Sequence, residues 1–188
     1  SQVTNMRLTF RGAEAFNQLL AWDTSSVTSL SRTFEGCVDF NHPLVWDTSK
    51  VTRMSPFNGA RAFNSQLVWD TSKVTGMYAA FYQADVFNAP LDWDTSKVNN
   101  LRATLRGADA FNQPLVWDTS KVTTMGETFM AAVAFNQRGI ADWDVGRVSD
   151  FAAMFYNSAL EDDACSRQLV TKAWEDSTAF ISAYTSWE

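Results

Sequence analysis

The sequence predicts an α/β solenoid of about six to seven coils of 24 residues, each a short strand, a turn and a short helix, closed by a helical C-terminal cap. Two repeated marks carry that prediction. The pentapeptide WDTSK stands at 46–50, 69–73, 93–97 and 117–121, with a one-residue variant at 22–26 and the form WDVGR at 143–147. The pair Phe-Asn begins at Phe16, Phe40, Phe63, Phe87, Phe111 and Phe135, so successive copies are 24, 23, 24, 24 and 24 residues apart. A period in this range belongs to repeat architectures, where each unit covers its neighbour's apolar face, and not to a globule with one central core. On this reading residues 1–157 form the solenoid and 158–188 the cap.

Within one unit, Leu115, Trp117 and Thr119 alternate with Val116, Asp118 and Ser120. Period-two alternation of β-branched and aromatic residues predicts a short strand. Val122, Met125, Phe129, Ala132 and Phe135 follow at steps of three and four, the spacing of a helical stripe. Trp22, Trp46, Trp69, Trp93, Trp117 and Trp143 recur without exception and are expected to form one buried column. The row Thr4, Thr28, Thr52, Thr75, Asn99, Thr123 and Ser149 holds residue types that cap helices, so a helix N-cap is expected there. The invariant Asn of Phe-Asn reads as an internal ladder that pairs backbone groups where the chain turns.

A second invariant row is Asp23, Asp47, Asp70, Asp94, Asp118 and Asp144. Each carboxylate can accept from the backbone two residues on, in an Asx-turn. Lys50, Lys73, Lys97, Lys121 and Arg147 run beside them as counter-charges. The competing reading of this row is Ca²⁺ binding, but such sites gather six or more oxygens in one place and no Asp-rich, Gly-containing loop recurs.

The unit departs from its pattern in few places. The third copy loses one residue near Pro56, and the last carries two extra residues between Gln137 and Trp143, with Gly139 in the enlarged loop. Beyond residue 157 the repeat stops. There Asp163 is expected to cap a helix holding Cys165, Leu169, Val170 and Trp174, followed by a second helical segment with Phe180, Ile181, Tyr184 and Trp187. The opening residues Ser1 to Met6 align with SKVTxM, which predicts a trimmed or processed chain that begins partway through a coil.

Variation among the copies marks the solvent face. It concentrates around the Met position and after the conserved Phe, and it places Arg7, Arg11, Arg32, Arg53, Tyr78, Tyr82, Arg102, Arg106 and Tyr156 outside. Tyr and Arg are enriched at interfaces, so these nine residues are the candidate interaction surface, weighed against a plain solvated face.

The chain holds 15 Lys+Arg against 21 Asp+Glu, a formal net charge of −6. That balance argues against a nucleic-acid partner, which needs a basic stripe. No stretch is apolar enough to span a bilayer and no signal segment is recognised. The two cysteines, Cys37 and Cys165, lie several coils apart, beyond disulfide reach. Cys37 takes the place of a small buried residue in the row of Ala13, Ala60, Ala84, Ala108 and Ala132. His42 is the only histidine and stands where other copies have Gln. No nucleophile–base pair, zinc cluster, phosphate-binding glycine loop or cofactor motif is present. The expectation is therefore no enzyme, no cofactor and no catalytic or metal residue.

The run FNQPLVWDTSKVTTM at 111–125 resembles the repeat of BspA-like leucine-rich-repeat surface proteins, found in bacteria, mycoplasma lipoproteins and some microalgae. The resemblance covers roughly residues 1–157, and the tail after Ala159 is similar to the ends of some algal members. It implies a leucine-rich-repeat-like solenoid, an extracellular or cell-surface location, and a role in adhesion or recognition of a protein or glycan. The alternative is a structural subunit of a larger assembly. A third reading, an ice-binding face on the regular Thr columns, is opposed by Val145 in one column and by Asn99 and Ser149 in the other.

Overall fold

The computed structural model describes residues 3–187. Ser1 and Gln2, on which the expected mid-coil start partly rests, lie outside the described residues. The α/β leucine-rich-repeat-like solenoid is overturned. Among the described residues there is no β-strand and no sheet, only isolated parallel bridges. Helix amounts to about 15% of the chain, and all of it lies from Arg138 onward.

Where a helix was expected in each repeat, the chain makes consecutive tight turns. In one copy, the N–H groups of Leu101, Ala103, Leu105 and Gly107 donate to Thr124, Gly126, Thr128 and Met130 of the next copy, at 2.8–3.1 Å. The N–H groups between them turn inward instead: Thr104 donates to Leu101, Arg106 to Ala103 and Ala108 to Leu105. An α-helix requires every N–H to reach the carbonyl four residues back. Here alternate donors are taken by the neighbouring repeat, so no helix can propagate.

The backbone pays for this with two left-handed residues in most copies. One set is Leu8, Arg32, Ala79, Ala103, Glu127 and Ala153; the other is Gly12, Gly36, Gly59, Gln83, Gly107, Ala131 and Asn157. A positive φ at the third residue is what a type II turn requires, and glycine meets it without strain. The steps of three and four identify the inward residues all the same: Met125, Phe129, Ala132 and Phe135 are fully buried. They do so because an i-to-i+3 turn, like a helix, returns the chain to the same face.

The expected strand fails for a different reason. Leu44, Trp46 and Thr48 are buried while Val45 and Asp47 are exposed, so the alternation of faces is present. Neighbouring copies are nevertheless linked there through side chains and not by a strand ladder. Trp46 Nε1 donates to the Leu20 carbonyl at 3.2 Å, and Trp69, Trp117 and Trp143 repeat the bond to Leu44, Leu91 and Leu115. Trp93 Nε1 is buried without a partner. The hydroxyls of Thr24, Thr48, Thr71, Thr95 and Thr119 donate to the carbonyl of the next copy's Asp at 2.9–3.0 Å.

The expected helix caps are also corrected. Thr28, Thr52, Thr75, Thr123 and Ser149 head no helix; each donates its hydroxyl and its backbone N–H to the carbonyl of the equivalent residue one copy earlier.

Successive copies lie in register. Parallel bridges join Asn5, Ser29, Arg53, Gly76, Asn100, Thr124 and Asp150 in one row. Inside, Phe16, Phe40, Phe63, Phe87, Phe111 and Phe135 stack with ring centroids 5.8–6.2 Å apart. Trp22, Trp46, Trp69 and Trp93 stack at 6.3–6.4 Å, and Trp117 with Trp143 at 5.9 Å. Along the edge, the Asn ladder runs from Asn17 to Asn136, each side-chain oxygen accepting the next Asn's N–H at 2.8–3.0 Å. Cys37 is buried in the Ala row and donates to the Phe10 carbonyl at 3.0 Å; burial pushes its thiol up to about 11. Cys165 is a free, exposed thiol.

A 3₁₀ segment at Arg138–Asp142 precedes three short helices, α1 (Ala159–Asp162), α2 (Ala164–Ala173) and α3 (Thr178–Ala183), and a second 3₁₀ segment at Thr185–Trp187. Asp163 caps α2 as its sequence suggests, accepting from the N–H of Cys165 and Ser166. The Asn136 amide donates to Asp163 Oδ2 at 2.9 Å, so the last member of the Asn ladder is tied to the tail. Trp174, Phe180 and Tyr184 are buried against Phe151 and Phe155.

Candidate binding groove

The bridge row and the residues flanking it form the floor of an open groove of about 850 Å³. Ser29, Ser31, Ser55 and Gly76 leave space there because their side chains are small, while Asn5 and Asn100 mark its two ends. The exposed Thr28, Thr52, Thr75 and Asn99 line it, as do Arg7, Arg32, Arg53 and Tyr78. The floor positions are held by the bridges themselves, so the groove is as rigid as the register between copies.

The structure divides the nine candidate residues. Arg7, Arg32, Arg53 and Tyr78 meet in the groove. Among the described residues, Arg7 and Arg53 form no ion pair, while Arg32 has Glu35 at 3.8 Å. That same Glu35 oxygen also faces Arg11 at 3.5 Å.

The remaining candidates lie outside the groove. Arg102 reaches Glu127 at 2.5 Å and Asp150 at 3.5 Å. Arg106 pairs with the other oxygen of Glu127 and lies 5.3 Å over the Tyr82 ring, in cation–π range. Tyr156 is exposed and close to the tail.

Sequence reasoning missed the small and hydroxyl-bearing floor. The signal available was Ser31 and Ser55 two residues after a bridge position, next to Gly76 at one.

The Asp row lies elsewhere. Asp23, Asp47, Asp70, Asp94 and Asp118 each accept the backbone N–H two residues on, at 2.9–3.0 Å. Their carboxyls are held below the ordinary range, first by the hydroxyl of that same serine and then by its N–H. The neighbouring lysines add only a small electrostatic lowering, and Lys121 donates instead to the Ser96 carbonyl. Among the described residues no three His, Cys, Asp or Glu side chains gather so as to hold a metal ion. No helix among them is long and apolar enough to cross a membrane. His42 is half-buried.

Arrays of near-identical units, joined copy to copy by the same bonds, define a repeat protein. The chain belongs to the family described as "Mycoplasma protein of unknown function, DUF285", which it matches over residues 1–92, 44–116 and 89–187. No curated protein and no solved structure matches it.

Proposed function

We propose that this chain is a non-enzymatic scaffold that presents its groove to a protein or glycan partner at a cell surface. The observation that carries this reading is the contrast between invariant and variable residues. The invariant Trp, Phe, Asn and Asp, and the Thr that recurs in all but one copy of WDT, are engaged in stacking or in bonds that hold the array. Arg7, Arg53 and Tyr78, which vary from copy to copy, stand exposed along one groove. Within the family, the likeness of the repeat to that of BspA-like surface proteins supports adhesion or recognition and an extracellular location.

Screening the purified chain against arrays of glycans and extracellular proteins tests the proposal. The expected result is at least one partner with a Kd below about 1 mM, with binding lost when Ser55→Arg fills the groove. Absence of any such partner overturns it. One observation favours a second reading, a structural subunit: Trp22 is 44% exposed and borders an apolar depression of about 480 Å³ with Val3 and Val27. Light scattering across a concentration series, alone and with native extract, distinguishes the two; a persistent monomer without partners rules out the subunit.

A further inference from the structure

We propose that the groove binds a linear polyuronate, an extended glycan with one carboxylate per sugar. This deepens the scaffold reading and rests on it. The first argument is charge. Among the described residues Arg7 and Arg53 have no carboxylate in ion-pair range, in a chain of net charge −6, and Arg32 shares the single Glu35 carboxylate, 3.8 Å away, with Arg11. Arg102 and Arg106, on later copies, are by contrast closely neutralised by Glu127 and Asp150. Positive charge is therefore left free in the groove and quenched beyond it. An unpaired guanidinium presents a planar fork of donors that matches a carboxylate in bidentate geometry.

The second argument is the chemistry of the lining. The hydroxyls of Ser31 and Ser55 and the amides of Asn5, Asn99 and Asn100 offer both donors and acceptors, as sugar hydroxyls require, while Thr28, Thr52 and Thr75, whose protons go to the preceding copy's carbonyls, can still accept. Tyr78, 48% exposed, adds a flat face with a polar tip. A peptide is disfavoured because anchor side chains need apolar pockets, and the one large apolar lining residue, Met54, is itself buried. Duplex nucleic acid and heavily sulfated glycans carry a denser charge than one carboxylate per sugar, and the overall negative charge of the chain opposes them more strongly. From Asn5 to Asn100 the groove crosses four steps of the bridge row, roughly 19 Å at the spacing of hydrogen-bonded neighbours. That suits an oligosaccharide better than a single sugar.

Calorimetric titration of the full chain with a galacturonate hexamer tests the inference. Expected are a Kd below about 1 mM, at least tenfold weaker binding of the fully methyl-esterified hexamer, and a loss of about tenfold for Arg53→Gln and for Arg7→Gln. Arg102→Gln, whose charge is already compensated, is expected to leave binding within twofold of the parent chain. Circular dichroism of each variant checks that the fold is kept. Equal binding of the methyl ester overturns the inference, as do unaffected Arg7 and Arg53 variants or tighter binding of a heparin oligosaccharide, a poly-glutamate peptide or single-stranded DNA. If another glycan or a protein binds and Ser55→Arg abolishes that binding, the polyuronate fails and the scaffold stands. If no probe or array partner binds, both fail.

Discussion

Phe10 and Phe155 occupy equivalent places in the first and last copies, and they differ in what covers them. Phe10 stacks on Phe34 at 5.4 Å and stays partly exposed. Phe155 stacks on Phe129 at 5.9 Å and is fully buried, because Trp174, Tyr184 and Trp187 close its other side at 5.4–6.2 Å. Stacking between copies thus covers one side of each terminal ring; the second side needs an element of another kind. At the last copy, the short helices and the 3₁₀ segment supply it.

Truncation of stacked rings puts the largest strain on this comparison. Phe57, buried between Phe34 and Phe81 at 5.7 and 5.6 Å, is expected to lose about 3–5 kcal/mol on Phe57→Ala. Phe155→Ala is expected to match it and Phe10→Ala to cost about half or less, measured by urea unfolding. If Phe155→Ala costs no more than Phe10→Ala, the tail is not the cover described. A finer test is Tyr184→Phe. The Tyr184 hydroxyl accepts the Phe155 N–H at 2.8 Å, and its removal orphans a buried donor, at about 1–3 kcal/mol. Urea unfolding with near-ultraviolet dichroism reads that loss.

Smaller effects come from the turns. Ala131→Gly is expected to stabilise the chain by about 0.5–1 kcal/mol, because it relieves a left-handed alanine, φ 57°. Gly107→Ala, at φ 66°, is expected to do the reverse. Equal melting temperatures for the two variants would refute the strain assigned to these positions. The smallest effect per residue is acid sensitivity of the exposed Asp row. Its carboxyls sit below their ordinary 3.8 in the fold, so their stabilisation is complete above that pH and is lost as pH falls through the lowered values. Replacing Ser49, Ser72 and Ser96 by Ala removes the hydroxyls that lower three of them. It is expected to flatten the decline in melting temperature between pH 4 and 2.

Much of the interior was legible in the sequence, and its backbone path was not. The Trp and Phe-Asn marks identify buried rings because every copy must match the next. The same spacing of three and four arises from a helix and from successive turns, and the contest is decided by where the N–H of residues such as Ala103 goes, which lies a full copy away. Glycine at 12, 36, 59 and 107 was a local sign against a helix interior. Left-handed Ala103, Glu127 and Ala153 carry no such sign. For the groove, variation singled out Arg7, Arg32, Arg53 and Tyr78 among nine candidates, and these four line it. It could not separate them from Arg102 and Arg106, because the compensating Glu127 lies 25 and 21 residues further on.

Val145 stands in the column where Thr24, Thr48, Thr71, Thr95 and Thr119 each reach forward to a following Asp carbonyl. No further WDT unit follows it, so a hydroxyl there would have no such acceptor to serve. Anyone splicing an extra unit in after residue 147 would therefore need to restore threonine at 145, while units duplicated earlier in the chain come with their donor already in place.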